Sequence, residues 1–228
     1  MLIHVKIEIP AGNFLKDPQE SKLGETIHQQ GIQLIQEIGY EAFTFKKLAQ
    51  RIQSTEATIY RYFENKHQFL KYLYAWYWGW MLQKINMETI PLNGTELKLK
   101  KALQLLIQPC HENGHVTIQN EAQLKAIIEN EGIKAILTKE IDAQNKVGAF
   151  ENYKDLVSLL SNWILELEPN YPYPQMLITT IIEGAHLQHF FAEHLPRLTN
   201  TCEDKDSAME FYFELIDQLI LKKNGTSN

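Results

Sequence analysis

Apolar residues recur at helical spacing along most of this chain. The first run is Leu23, Ile27, Ile32, Leu34, Ile35 and Ile38, and Gly39 stands where a C-terminal cap belongs. Thr44 is a good N-cap for a second helix that carries Phe45, Leu48, Ala49 and Ile52 on one face. The polar break Gln53-Ser54-Thr55 separates it from a third helix, Glu56 to Phe63. Asn65, with Gln68 three residues on, has the pattern of a capping box for a long fourth helix reaching Met87. Beyond Pro91, stripes of period 3.6 cover residues 95–108, 120–145 with a break at Gly132, 150–168, 173–194 and 205–223. Pro10, Gly12 and Pro18 exclude helix near the N-terminus, where residues 3–9 read as a short edge strand or as an arm that orders on a partner. The pattern predicts an all-α fold of about nine helices.

The second and third helices make a compact pair. Phe45, Leu48, Ala49 and Ile52 face Ile59 and Phe63, and Leu34 and Ile38 close the third side. This three-sided core is the minimum for a helix-turn-helix, which holds one helix outward for the major groove. The residues left for that groove are Glu56, Ala57, Thr58, Tyr60 and Arg61.

Charge sharpens this picture. The chain has 228 residues and a formal net charge of −6, with 44% apolar and 22% charged residues. Residues 44–72 nevertheless hold six basic side chains (Lys46, Lys47, Arg51, Arg61, Lys66, Lys71) against Glu56 and Glu64, a net of +4 that leaves −10 elsewhere. A basic island on an acidic body is expected when one module alone touches phosphate. The two cysteines, Cys110 and Cys202, suit a reducing cytoplasm better than a disulfide scaffold. The N-terminus has no continuous apolar core of the signal-peptide kind, and Phe69 to Leu82 is too short to span a bilayer.

At these residues the chain resembles the TetR family of transcriptional regulators. The resemblance rests on Phe43-Thr44-Phe45-Lys46-Lys47-Leu48-Ala49 and on Ala57-Thr58-Ile59-Tyr60-Arg61-Tyr62-Phe63-Glu64-Asn65-Lys66, followed by Leu70, and it covers residues 20–72. It implies an arm over 1–17, a helix-turn-helix DNA-binding domain over 18–65 and a helical ligand-binding and dimerisation domain over 66–228. It further implies that Tyr60, Tyr62 and Lys66, with Thr44, bind phosphates, while Lys46, Glu56, Ala57 and Thr58 approach bases. Phosphate contacts set register and base contacts carry specificity. Arg61 reaches either guanine or a phosphate. Ile52, Gln53 and Ser54 depart from the family's turn, which has a small residue, a glycine and an apolar residue, so this turn must tolerate a side chain at any positive-φ position. The arm is not basic, which argues against minor-groove contacts from it.

By the same resemblance, the last two long helices pair with a second copy, and the homodimer faces a palindromic operator in double-stranded DNA. Candidate surfaces are Leu177, Ile181, Gly184, Ala185, Gln188 and Phe191, then Met209, Phe211, Tyr212, Phe213, Leu215, Ile216, Leu219 and Ile220. The fourth helix holds Tyr72, Tyr74, Trp76, Tyr77, Trp78 and Trp80. These rings form either core or, through Trp76, Trp80 and Gln83 with Tyr153 and Trp163, the wall of a pocket for a small apolar or aromatic ligand. The resemblance makes the protein a repressor released by that ligand. The alternatives are a regulator without a small-molecule gate, and a helical ligand- or metal-binding protein with a vestigial helix-turn-helix.

Glu183, His186, His189 and His194, and separately Cys110, His111 and His115, read as surface or interface groups rather than metal sites, because their spacings are mixed. No cofactor is expected. No nucleophile elbow, metalloprotease helix or nucleotide loop occurs in the sequence, so an enzyme is not expected either.

Overall fold

The computed structural model describes residues 6–108, 118–202 and 206–221. The described residues form eleven α-helices and no β-strand: α1 Lys22–Ala42, α2 Phe45–Arg51, α3 Glu56–Tyr60, α4 Lys66–Thr89, α5 Thr95–Ile107, α6 Glu121–Glu131, α7 Ile133–Ile136, α8 Ile141–Lys146, α9 Glu151–Leu167, α10 Pro174–His194 and α11 Ser207–Ile216. The fold is all-α, with more helices than periodicity suggests because one expected segment is divided into three. The third helix stops at Tyr60 rather than Phe63, and residues 120–145 split into α6, α7 and α8. Residues 6–9 have no regular secondary structure rather than forming a strand, and 3–5 lie outside the described residues. No helix among the described residues is long and apolar enough to cross a membrane.

The chain divides into two compact units. The first runs to Trp80 and adds α6, α7, α8 and the start of α9 as far as Tyr153; the second holds the rest of α4, α5, the rest of α9, α10 and α11.

In the first unit, helix ends follow the polar residues that flank them. Ser21 Oγ accepts from Gly24 N–H at 3.1 Å at the start of α1. Near its end, Gly39 leaves helical geometry at φ 76°, ψ 155°, and the Phe43 N–H turns back onto the carbonyls of Gly39 and Tyr40. Asn65 Oδ1 accepts from Gln68 N–H at 2.8 Å, while Gln68 Oε1 accepts from Glu64 N–H at 2.6 Å. The capping box therefore closes one residue earlier than its usual pattern. The core of this unit is Ile27, Ile35, Phe43, Leu48, Ile59, Phe63 and Phe69, all buried. Arg51 ties α2 to α1 through two bonds to the Glu37 carboxylate, at 2.6 and 2.8 Å, and one to Gln30 at 2.7 Å. That guanidinium holds the Glu37 carboxyl below the ordinary range.

All six aromatic rings named on α4 are buried. They occupy different sides of a helix that is apolar all round. Tyr72 and Trp76, one turn apart, meet His28 of α1 edge-on, with ring centroids at 5.5 and 4.9 Å. Tyr74 and Trp78 meet Tyr153 of α9, at 5.9 and 4.4 Å.

In the second unit, Lys100 of α5 bridges Glu96 at 2.9 Å and Asp217, just after α11, at 3.1 Å. Thr95 donates to Glu166 of α9 at 2.7 Å. Leu177, Ile181 and Ala185 of α10 and Tyr212, Ile216 and Ile220 are buried within the protomer, and the Tyr212 hydroxyl lies against Gly184. The apolar surface left over is Met176, Leu187 and Phe190 on α10 and Phe211 on α11.

His28 gives the first unit a pH dependence. Its Nε2 is enclosed without a hydrogen-bond partner among the described residues, and burial lowers its pKa from 6.5 to about 4. A base whose folded pKa is depressed stays neutral in the native state while the unfolded chain takes up a proton below pH 6.5. Its contribution is thus present above pH 6.5 and lost as pH falls toward 4. At 1.36 kcal/mol per unit, the loss between pH 7.5 and pH 5 is about 2 kcal/mol. Urea unfolding at those two values should show the His28→Leu variant free of that part of the decline. An equal decline in variant and parent would remove His28 as its source.

Candidate nucleic-acid interface

The turn between α2 and α3 sets how the outward helix stands. Ile52 N–H bonds the Leu48 carbonyl at 3.0 Å, Gln53 N–H that of Gln50 at 3.3 Å, and Ser54 N–H reaches back to Ala49 at 2.8 Å. Closing the loop in this way places Gln53 in the left-handed region at φ 52°. A side chain therefore occupies the conformation that glycine adopts most readily. Thr55 then caps α3, its Oγ1 accepting from Thr58 N–H at 3.3 Å and sharing a hydrogen bond with Thr58 Oγ1 at 2.9 Å. The sequence pattern sets Thr55 in the turn, and its place immediately before Glu56 is the signal that marks it as the cap.

Ile59 is fully buried and anchors α3 to the core. Glu56, Ala57, Tyr60 and Arg61 are exposed around it and Thr58 is half-exposed. Tyr60 keeps 48% of its surface in solvent while its ring rests edge-on against Phe45, with centroids 5.2 Å apart. At the start of α2, Thr44 and Lys46 are exposed, and Thr44 Oγ1 accepts from Lys47 N–H at 3.2 Å. Thr44, Lys46, Glu56, Ala57, Thr58, Tyr60 and Arg61 thus stand on α2, α3 and their caps.

Tyr62 and Lys66 are placed differently. Tyr62 is 3% exposed, and its hydroxyl shares a 2.8 Å hydrogen bond with Ser21 Oγ. Lys66 is half-buried, donates to the carbonyls of Tyr40 at 3.2 Å and Glu41 at 3.1 Å, and lies 4.7 Å from the Tyr40 ring centre. It closes the end of α1, where free carbonyls attract a cation. Lys47 does the same from α2, donating to Ala42 at 2.8 Å.

The aromatic residues considered for a ligand do not converge within the first unit. Trp76 faces His28 of α1, whereas Tyr153 sits against Tyr74 and Trp78 on another side of α4, and Trp80 is fully buried on the same helix. Gln83, half-buried, and Trp163, buried, belong to the second unit. Among the described residues no group of three or more His, Cys, Asp or Glu is placed to hold a metal ion. Cys110, His111 and His115 lie outside the described residues.

A short helix anchored by one buried isoleucine, held outward by a tight turn and bearing polar and basic side chains, defines a helix-turn-helix DNA-binding regulator. Residues 27–73 match the family described as bacterial regulatory proteins, tetR family, and the helix-turn-helix module belongs to that family. No curated protein matches the sequence. Six chains among solved structures match this one, including the following two. One is AibR in complex with isovaleryl coenzyme A and operator DNA, with TM-score 0.57, 16% identity, and coverage of 86% of this chain and 97% of that one. The other is the fatty acid degradation regulator FadR from Bacillus halodurans, with TM-score 0.53, 19% identity, and coverage of 86% and 96%.

The left-handed Gln53 carries a stability prediction. A non-glycine residue there costs about 1–2 kcal/mol, part of which glycine returns through its freer unfolded chain. Gln53→Gly should raise stability by about 0.5–1 kcal/mol, read as a higher urea midpoint with an unchanged slope. A lower midpoint would mean that the side chain makes compensating contacts.

Proposed function

We propose that this protein is a dimeric repressor that binds a palindromic operator through α3 and leaves it when a small apolar ligand binds. The observation that carries the reading is the surface of α3. Ile59 alone is committed to the core, and Glu56, Ala57, Thr58, Tyr60 and Arg61 surround it toward solvent.

The roles follow from chemistry and exposure. Thr58 donates to or accepts from a base edge, Ala57 meets a thymine methyl and Glu56 accepts from cytosine N4. Tyr60 and Thr44 hold phosphates; Lys46, which the resemblance sets near bases, is assigned a phosphate here because it stands on α2 rather than on α3, and Arg61 takes guanine or a phosphate. Lys66 has three ammonium donors, two of them directed at Tyr40 and Glu41, so one remains for phosphate. Tyr62, with its hydroxyl engaged by Ser21, acts by holding α3.

Dimerisation is supported by the face that α10 and α11 leave uncovered. Leu187 is 51% exposed, Phe190 39% and Phe211 57%, and Met176, Thr180, Leu187 and Phe190 follow one another at helical spacing along α10. A second copy covering this face would give the assembly two α3 helices, as a palindrome with half-sites about one helical turn apart requires. The ligand to try beside free apolar molecules is an acyl coenzyme A thioester, which carries an apolar acyl chain on a large anionic coenzyme, since AibR is described in complex with isovaleryl coenzyme A and operator DNA.

The test begins with selection of a preferred duplex from random sequence, followed by titrations at several salt concentrations. A palindromic sequence should emerge, Tyr60→Phe should weaken binding several-fold, and Lys46→Ala should make the slope of log affinity against log salt shallower by about 1. Loss of all sequence preference in the parent protein would overturn the DNA-binding reading. Addition of isovaleryl coenzyme A or a long-chain acyl coenzyme A should lower operator affinity at least tenfold; equal affinities would remove that ligand class.

A further inference from the structure

Before α1, residues 6–20 carry Pro10, Gly12 and Pro18 and form only two short 3-10 turns, yet they are not a loose tail. Ile7 is 1% exposed, and its backbone is held as a neighbouring strand would hold it. The Ile7 N–H donates to Gln19 Oε1 at 2.8 Å, and Gln19 Nε2 donates back to the Ile7 carbonyl at 2.7 Å. The next residue is fixed from α9: Asn152 Nδ2 donates to the Glu8 carbonyl at 3.0 Å and to the Ala75 carbonyl of α4 at 2.9 Å. One amide therefore pins the arm and α4 together.

Gly79 is the second sign that α4 is shaped for this arm. Glycine is unfavourable inside a helix. Here a Cβ on it would overlap Cγ2 of Ile7 and stand 2.5 Å from Asn152 Nδ2. Further along, Asn13 is fully buried and donates to the Ala149 carbonyl at 3.3 Å and the Pro10 carbonyl at 3.2 Å. The arm then meets the end of the outward helix. Leu15 N–H donates to the Tyr62 carbonyl at 2.8 Å, Lys16 Nζ lies 5.3 Å from the Tyr62 ring centre, and Ser21 Oγ holds the Tyr62 hydroxyl. The carbonyl, ring and hydroxyl of Tyr62 are all engaged by residues of one continuous run. Tyr62 lies two positions beyond the last residue of α3.

We propose that residues 7–21 are a strap that positions α3: anchored on α4 and α9 at Gly79 and Asn152, it fixes Tyr62 and hence the angle at which α3 presents Glu56, Ala57 and Thr58 to base edges. Leu15, Lys16 and Ser21 are positioning residues, acting through Tyr62. The inference rests on the reading of α3 as the DNA-contacting helix, but the strap itself is independent of it. Its mechanical content is that loosening the far anchor, at Ile7 and Glu8, releases the near one at Leu15.

The experiment uses the full chain with Asn152→Ala, which removes both anchoring bonds and touches neither Leu15 nor Tyr62. Amide hydrogen exchange should quicken at least tenfold at Leu15 and also at Tyr62, whose N–H bonds the Ile59 carbonyl at 2.8 Å. The ratio of affinity for the selected duplex over a scrambled one should fall about tenfold while scrambled-duplex affinity stays within twofold, because phosphate contacts survive a change of angle. Gly79→Ala, which improves helix propensity yet crowds Ile7, should act in the same direction and serves if Asn152→Ala does not fold. Unchanged exchange at Leu15 and Tyr62 would overturn the strap, and faster exchange with an unchanged affinity ratio would overturn its role in positioning. A parent protein without sequence preference would fail the DNA reading instead, leaving the exchange measurements to decide the strap.

Discussion

The helix-turn-helix is organised around the ring of Phe69. It is fully buried, stacks on Phe43 ahead of α2 with centroids 5.6 Å apart, and meets Phe63 beyond α3 edge-on at 5.0 Å. On its third side a Cβ at Gly31 of α1 would overlap the ring, so that position admits no larger side chain without repacking. One ring on α4 thereby touches the segments that flank both short helices and the long helix beside them. Helices of five and seven residues have no independent stability in water. Their existence, and the angle between them, are consequences of this aromatic cluster and of Ile59 and Leu48 beneath it.

Around that centre, the polar groups with the most consequence are those that close helix ends or cross between elements. Lys47 and Lys66 both cap the end of α1, and Arg51 clasps Glu37 and Gln30 on its flank. The arm adds a second kind of restraint: side-chain amides that bond backbone carbonyls far away in sequence, as Asn13 does with Ala149 and Asn152 with Glu8. Such bonds are directional in a way that apolar packing is not, and they hold the run of chain that leads to Leu15, whose N–H bonds the Tyr62 carbonyl.

Local and periodic signals were the legible ones. Thr44 and Asn65 cap the helices their positions suggest, the stripes after Pro91 locate α5, α9 and α10 to within a residue or two, and the missing glycine of the turn shows directly as the left-handed Gln53. Most of the exposed set on α3 could be read as well, because burying Ile59 leaves only its neighbours outside. The arm could not. Ile7 reads as one apolar residue in a short alternating run, and nothing local says that its partner is Gln19 or that Gly79 makes room for it. Nor does the sequence say on which side of α4 each ring lies. In a helix apolar all round, period alone does not choose a face, and the choice between His28 for Trp76 and Trp78 for Tyr153 is made by tertiary packing.

The same packing changes what the basic island amounts to. Its formal excess treats all six cations alike, but the fold does not. Arg51 is paired with Glu37, Lys47 and Lys66 are directed at α1 carbonyls, and Lys71 is buried with its pKa lowered by desolvation. Lys46 and Arg61 are the members that reach solvent without a partner among the described residues. A module that presents so few free cations draws little affinity from counterion release, since that term scales with the number of phosphates neutralised. Under the proposed reading, hydroxyl contacts from Tyr60 and Thr44, and duplication of the whole set in a second copy, would supply what charge does not. Small, uncharged contacts are worth more when their geometry is fixed beforehand, because little ordering remains to be done on binding. On this account the rigid hold on α3 from below by Phe69 and from the side by the arm is the counterpart of its sparse charge.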